Sequence, residues 1–218
     1  TSSDLINQLN FSQLSNLELL DLSWNRLNNQ ILNNIKNIRR LKYLYLIYTN
    51  LIFKKEYFKT LNLNELALNY NSIEFNLDKE FLECEKNSLF YLGLSSVNFT
   101  NLEFEKFTNF KCFKNLFELY LNNNSLNIIK SYYFEYAFSL GFLDLKHNKI
   151  EIFQQSSLAN SRQLIFLDLS YNRLKFLSQN VFIETNSAIF SYSNLNILYL
   201  NDNQITKIFK EVCAFFFF

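Results

Sequence analysis

The sequence predicts an α/β solenoid, a curved stack of similar coils with a parallel β-sheet on its concave face and loops or short helical turns on its convex face. Three observations lead to this prediction. The pattern L-x-x-L-x-L-x-x-N-x-L recurs eight times in 218 residues, and a recurrence at a spacing of about 20–50 residues is the mark of a solenoid. The middle of each copy alternates with period two, as in a strand with one buried face. Six of the eight copies carry Asn at the ninth position.

The eight copies predict eight stacked strands. They begin at residues 17, 41, 63, 89, 116, 140, 164 and 195, between 22 and 31 residues apart. One coil cannot bury its own leucines, so neighbouring coils must cover them, with strands about 4.8 Å apart. We therefore predict a single domain over residues 1–211. Phe11 belongs to a partial repeat before the first full copy, and we expect the solenoid to extend further on that side.

The ninth position predicts a buried ladder of amides. The chain must turn out of the strand there, and an Asn side chain offers both a donor and an acceptor to the backbone groups that the turn leaves buried. Thr49 keeps only a hydroxyl at this position and Val97 keeps no polar atom. We expect a local irregularity near Val97. The ladder itself comprises Asn25, Asn71, Asn124, Asn148, Asn172 and Asn203.

The segments between copies also carry apolar residues at regular spacings. Phe11, Leu14 and Leu17 give F-x-x-L-x-x-L before the first copy, and Leu177 and Phe182 continue the seventh. With the eight cores, this arrangement resembles the leucine-rich repeat family along essentially the whole chain, in particular its typical 24-residue subclass, as in Toll-like receptor and Slit-type ectodomains. The resemblance implies short convex segments and an extracellular setting. The chain departs from that subclass because it has no Pro and no cysteine-rich cap.

Composition and motifs argue against catalysis and nucleic-acid binding. The 21 basic and 20 acidic residues give a net charge of +1, without the basic excess that nucleic acid requires. His147 is the one histidine, and no second His, Cys or carboxylate pair is placed to form a catalytic or metal site with it. Gly93 and Gly141 are too far apart for a phosphate loop. We predict a non-catalytic module with no cofactor and no metal ion.

The candidate binding residues are the aromatics that point outward from the strands, at the third, fifth and eighth positions of the copies. Such side chains carry binding hot spots because they bury a large area at low entropy cost, which favours a protein or peptide ligand. The alternative is that aromatics, 18% of the chain, stack to stabilise neighbouring strands without a partner. The predicted residues are Trp24, Tyr43, Tyr45, Tyr48, Tyr70, Tyr91, Tyr120, Phe142, Phe166, Tyr171 and Tyr199.

Three acidic residues on the same face allow a second interpretation. Asp21, Asp144 and Asp168 suggest a basic ligand. The string LDLS is nevertheless frequent in the leucine-rich repeat family, and the resemblance implies that its Asp serves local hydrogen bonding.

The location of the protein has several weak indicators. Glycosylation sequons occur at Asn10, Asn98 and Asn123, although three are no evidence of secretion in a chain so rich in Asn. Cys84 and Cys112 lie five and four residues before the next copies. Stacking brings their coils side by side, so we predict a disulfide in an oxidising compartment; two buried free thiols fit equally well.

Residues 212–218 form an apolar tail, against roughly 20 residues needed for a membrane span. It is interpreted as a truncated span or as a disordered end, and membrane contact is expected only through such a span. We predict a segment of an extracellular or cell-surface receptor. An intracellular, cytoplasmic scaffold or regulatory subunit is the alternative, and the missing caps and the few cysteines favour it.

Overall fold

One parallel sheet of eight short strands organises the structure. The computed structural model describes residues 9, 11–53, 57, 58, 60–73, 88–107, 110–182 and 194–208. Each copy of the repeat contributes three residues to this sheet, from its third to its fifth position. The strands are β1 Leu19–Asp21, β2 Tyr43–Tyr45, β3 Glu65–Ala67, β4 Tyr91–Gly93, β5 Glu118–Tyr120, β6 Phe142–Asp144, β7 Phe166–Asp168 and β8 Ile197–Tyr199.

The strands pair in sequence order, all parallel, and equivalent positions of successive copies lie side by side. Leu44 of β2, for example, pairs with Leu20 on one side and with Leu66 on the other. The sheet forms the concave wall of a solenoid. The predicted fold class is confirmed.

The leucines at the fourth and sixth positions form the core. Leu66, Leu92, Leu119, Leu143 and Leu167 have no exposed surface because the neighbouring coils cover them from both sides. In the two end coils the equivalent side chains, Leu20 and Leu198, are only partly buried. Stacking is therefore what completes the core of each coil.

The convex side contains short elements, as predicted. Helix α1 spans Gln30–Ile35 and helix α2 spans Asn101–Phe107. Before α2, the Thr100 N–H donates to the Glu103 carboxylate at 2.9 Å, half of a capping box. Short 3-10 turns cover Phe11–Gln13, Phe110–Asn115 and Gln179–Val181.

Three small parallel pairs of strands, which the sequence did not predict, add a second layer of backbone pairing to this side. They are Ile52–Phe53 with Ser72–Ile73, Ile128–Ile129 with Ile152–Phe153, and Phe176–Leu177 with Lys207–Ile208.

The predicted amide ladder is confirmed. The Asn148 Nδ2 group donates to its own coil at Leu145 O, 3.0 Å, and to the preceding coil at Leu121 O, 3.0 Å. Its Oδ1 accepts the Leu126 N–H at 3.0 Å. Asn172 makes the same three kinds of bond one coil further along. Both amides thus tie two coils together and satisfy backbone groups that would otherwise be buried without partners.

The predicted irregularity at the gap in the ladder is also confirmed, and Thr49 shows it too. In both copies without Asn, the residue after the ninth position has left-handed backbone: Asn50 with φ 56° and Asn98 with φ 62°. In the other six copies the tenth residue does not have positive φ. Asn tolerates this conformation better than most residues. The wall itself is undisturbed, because β4 pairs in register with both neighbours.

Candidate binding site on the concave wall

The residue at the eighth position of every copy has left-handed backbone, at the edge where the chain leaves the wall. These residues are Trp24, Tyr48, Tyr70, Ser96, Asn123, His147, Tyr171 and Asp202, with φ between 52° and 61°. Only Gly, and to a lesser degree Asn or Asp, adopts this conformation cheaply, because the Cβ of other residues crowds the following carbonyl. Four of the eight copies nevertheless place a large aromatic residue there.

These four aromatics, which we call the rim aromatics, are also exposed. Trp24, Tyr48, Tyr70 and Tyr171 keep 72%, 54%, 47% and 42% of their surface accessible. The Trp24 and Tyr48 ring centroids are 5.0 Å apart, and Tyr171 stacks on His147 at 4.2 Å. Tyr70 has no ring contact among the described residues. The rim aromatics therefore combine an unfavourable backbone conformation with side chains that remain accessible to a ligand.

A second group of rings crosses the wall as a continuous ladder. Successive ring centroids are 5.2 Å apart from Tyr91 to Tyr120, 5.0 Å from there to Phe142 and 4.0 Å from Phe142 to Phe166, where the rings are parallel to within 3°. Tyr199 continues it at 5.7 Å with an edge contact. We call these five residues the ring ladder. They span β4 to β8 and are partly covered by one another.

Two tyrosines of the wall are held by carboxylates. The Tyr45 hydroxyl donates a hydrogen bond to Glu65 in the next coil, and the Tyr120 hydroxyl donates to Glu118 in its own strand at 3.0 Å. Burial, followed by these hydrogen bonds, raises the pKa of both phenols. Burial also raises the pKa of Tyr91. The Tyr45 and Tyr120 hydroxyls are therefore protonated donors whose hydrogen bonds are directed to carboxylates.

The aspartates at the fifth position make local hydrogen bonds, as the resemblance implied for the LDLS string that contains Asp21 and Asp168. The Asp21, Asp144 and Asp168 carboxylates accept the backbone N–H two residues later, at 2.9, 2.9 and 2.8 Å. Asp168 also accepts the Ser170 hydroxyl at 2.6 Å. Burial raises the pKa of Asp144. These groups have a role in the turn and do not by themselves indicate a basic ligand.

The two glycines of the chain allow side chains of the preceding coils to lie on the wall backbone. A Cβ on Gly141 would come within 2.3 Å of the Phe117 ring, and one on Gly93 within 2.7 Å of the Asn69 amide. The Phe117 ring also stacks on Phe90 at 5.1 Å. The glycines are thus explained by close packing at the wall.

The structure places all eleven predicted binding residues on the wall or at its edge. It separates them into the rim aromatics, the ring ladder, and Tyr43 with Tyr45 at the start of the sheet. Sequence reasoning missed Glu65 and Glu118 as partners of tyrosines. It also missed Phe90 and Phe117, which belong to the second position of their copies, a column that precedes the strands.

The remaining predicted sites lie partly inside and partly outside the described residues. Asn98 and Asn123 are exposed, whereas Asn10, Cys84, the side chain of Cys112 and the apolar tail lie outside the described residues. The disulfide and the tail therefore stay predictions. Within the described parts, no group of three or more His, Cys, Asp or Glu is placed to hold a metal ion. No helix in those parts is long and apolar enough to cross a membrane.

Comparison with known proteins agrees with the geometry. The family model described as Leucine Rich Repeat matches residues 16–38, which include the first copy and α1. The chain has the leucine-rich repeat fold. No curated protein sequence matches it significantly.

Solved leucine-rich repeat structures superpose over most of the chain. The TLR13–ssRNA13 complex matches 90% of it with TM-score 0.64 and 24% identity. InlP of Listeria monocytogenes matches 84% with TM-score 0.65 and 20% identity. FLRT2, in an octameric complex with Latrophilin 3 and Unc5D, matches 87% with TM-score 0.61 and 22% identity.

The leucine-rich repeat chain spans 26% and 48% of the first two of these proteins and 62% of the third. At these identities the similarity concerns the fold alone.

Proposed function

We propose that this leucine-rich repeat segment is a non-catalytic recognition module whose concave wall binds a protein or peptide ligand. The observation that carries the proposal is the exposed row Trp24, Tyr48 and Tyr70. A bulky residue in left-handed backbone costs about 1–2 kcal/mol, and these three rings keep 47% to 72% of their surface accessible to a ligand. Residues that oppose folding are concentrated at binding sites, where the ligand supplies the missing contacts.

The charges of the wall favour a protein over a nucleic acid. The third, fifth and seventh positions of the eight copies carry one cation, Lys146, and five carboxylates. Phosphate groups would be repelled by this surface. The solved TLR13 structure contains RNA, so the fold itself allows either ligand. The five carboxylates belong to Asp21, Glu65, Glu118, Asp144 and Asp168.

We infer further that the segment belongs to the ectodomain of a cell-surface or secreted receptor. The resemblance to the typical subclass supports this, and the sequons at Asn98 and Asn123 are exposed, as glycosylation would require. FLRT2 in its complex with Latrophilin 3 and Unc5D and the GASSHO1/SCHENGEN3 ectodomain of Arabidopsis thaliana have the same fold. An intracellular scaffold is the second candidate, favoured by the small number of cysteines.

A peptide-display selection tests the wall. Random peptides selected on the whole chain are expected to concentrate on its hot spots. The triple variant Trp24→Ser, Tyr48→Ser, Tyr70→Ser should abolish binding of most selected peptides. The matched control replaces three exposed aromatics outside the wall, Tyr132, Phe138 and Phe176, and should leave binding intact. Peptides that respond equally to both triples, or only to the control, would contradict the proposal.

Expression through a secretory pathway tests the location. Mass spectrometry would search for glycans on Asn10, Asn98 and Asn123 and for a Cys84–Cys112 bridge. Glycans together with the bridge would support the ectodomain. A folded product with neither would favour the intracellular scaffold.

A further inference from the structure

A recess outside the concave wall has a different chemistry from the aromatic site. It has a volume of about 320 Å³, and its lining residues precede β1, β2 and β3, on the edge opposite the rim aromatics. Three of the side chains are cationic and one is acidic. The lining consists of Glu18, Arg39, Arg40, Leu41, Lys42, Asn62 and Asn64.

The cations of the recess are incompletely neutralised. The Lys42 ammonium lies 3.2 Å from the Glu18 carboxylate, and both groups are about half exposed. The Arg40 guanidinium donates one hydrogen bond, from Nη1 to the Asn16 side chain at 3.0 Å, out of five possible. Arg39 makes no hydrogen bond or ion pair within the described chain. Among the described residues, three cations of the lining thus face a single carboxylate.

The neighbouring coil adds polar donors. The Asn64 Oδ1 accepts the Ser88 hydroxyl at 2.7 Å, which leaves the Asn64 NH₂ group as the donor available to a ligand. Asn62 lies beside it in the lining. The recess therefore presents guanidinium, ammonium and amide N–H groups from adjacent coils.

This charge cluster distinguishes the second copy from the other described copies. The four residues from two before the start to one after it read Arg39, Arg40, Leu41 and Lys42 in the second copy. In the seventh they read Arg162, Gln163, Leu164 and Ile165. Arg162 has the same place as Arg39 but no cationic neighbours in that segment, so it provides a matched control.

We propose that this recess binds a tetrahedral oxyanion, a phosphate or sulfate group, either as a free ion or as an ester on a larger ligand. The planar guanidinium presents paired N–H donors that match two oxygens of such a group, and lysine adds a point charge. The site lies on residues that the proposed protein ligand does not use. It therefore stands or falls independently of the aromatic wall.

Thermal unfolding of the whole chain tests the site. Inorganic phosphate and inorganic sulfate are titrated against chloride at equal ionic strength, and the apparent affinity follows from the rise in Tm. The double variant Arg39→Gln, Arg40→Gln should weaken that affinity about tenfold, because it removes charge-assisted contacts. Arg162→Gln should leave it unchanged. All three proteins should have the same Tm in chloride, since these side chains are exposed.

A variant of opposite sign excludes a merely structural effect. Glu18→Gln removes the carboxylate that pairs with Lys42 in the described lining, so it should tighten oxyanion binding about threefold. A heparin-derived tetrasaccharide distinguishes a free oxyanion from a sulfate ester on a larger ligand. Arg39- and Arg40-dependent stabilisation by the tetrasaccharide alone would assign the site to sulfate esters, and stabilisation by the inorganic ions would show that a free ion suffices. Equal responses of the wild type and the double arginine variant to every probe would overturn the proposal, as would no response at all.

Discussion

The inner and outer faces of the same eight strands obey different rules. Toward the core, the inner coils repeat one arrangement: their leucines are covered by the neighbouring coils, and in most copies an Asn amide joins two coils. Toward the solvent, the third position holds residues as different as Leu19, Glu65 and Phe142. At the eighth position, four of the eight copies place a large aromatic residue in a left-handed backbone conformation that such residues adopt unfavourably. The core face shows what stacking requires, and the outer face shows where selection for folding is relaxed or overridden.

The largest expected effect compares two adjacent residues on opposite faces of β6. Leu143 is fully buried, so Leu143→Ala should lower the free energy of unfolding by about 3 kcal/mol, through lost burial and a residual cavity. Phe142 faces the solvent and stacks on Phe166 at 4.0 Å. Phe142→Ala should cost only about 1 kcal/mol. Urea unfolding monitored by circular dichroism measures both, and equal costs would contradict the division between the two faces.

A smaller effect is expected in the amide ladder. Asn148→Ala removes two donated bonds and one accepted bond in a buried setting and should cost about 2 kcal/mol. Val97→Ala removes no hydrogen bond and deletes only buried methyl groups, so it serves as the comparison, with an expected cost of about 1 kcal/mol. The same urea experiment applies. A cost for Asn148→Ala no greater than that for Val97→Ala would show that the amide bonds contribute little net stability.

Much of this architecture follows from local pattern. The period of two places Leu143 inward and Phe142 outward, and recurrence of the pattern sets which strands are neighbours. The ladder follows because a side chain with both donor and acceptor satisfies the backbone groups of the turn, and Val97 is recognisable as its gap. In these features each coil repeats the same local arrangement, so one copy predicts the others.

The missed features depend on relations between unlike coils. The pairing of Tyr45 with Glu65 crosses from one coil to the next, and variable coil lengths hide it in the sequence. The convex strand pairs are two residues long, as in Ile52–Phe53, too short for a periodic signal. The cluster of Arg39, Arg40 and Lys42 is visible in the sequence, but only stacking places Glu18 and the Asn amides beside it.

The smallest expected effect concerns the left-handed eighth position, where a substitution should raise the free energy of unfolding rather than lower it. Tyr70 has positive φ and no ring partner among the described residues. Tyr70→Asn should therefore raise the free energy of unfolding, by up to about 1 kcal/mol, because Asn adopts this conformation more readily. Tyr48→Asn relieves the same strain but loses the Trp24 contact at 5.0 Å, so its gain should be smaller.

Unfolding in urea and binding of wall-selected peptides, measured on the same variants, separate stability from function. A Tyr70→Asn protein that is more stable and binds more weakly would show that the tyrosine is kept for recognition against the preference of the fold. If the variant is instead less stable than the wild type, the ring contributes to folding after all. The eighth position would then offer no argument for a binding wall.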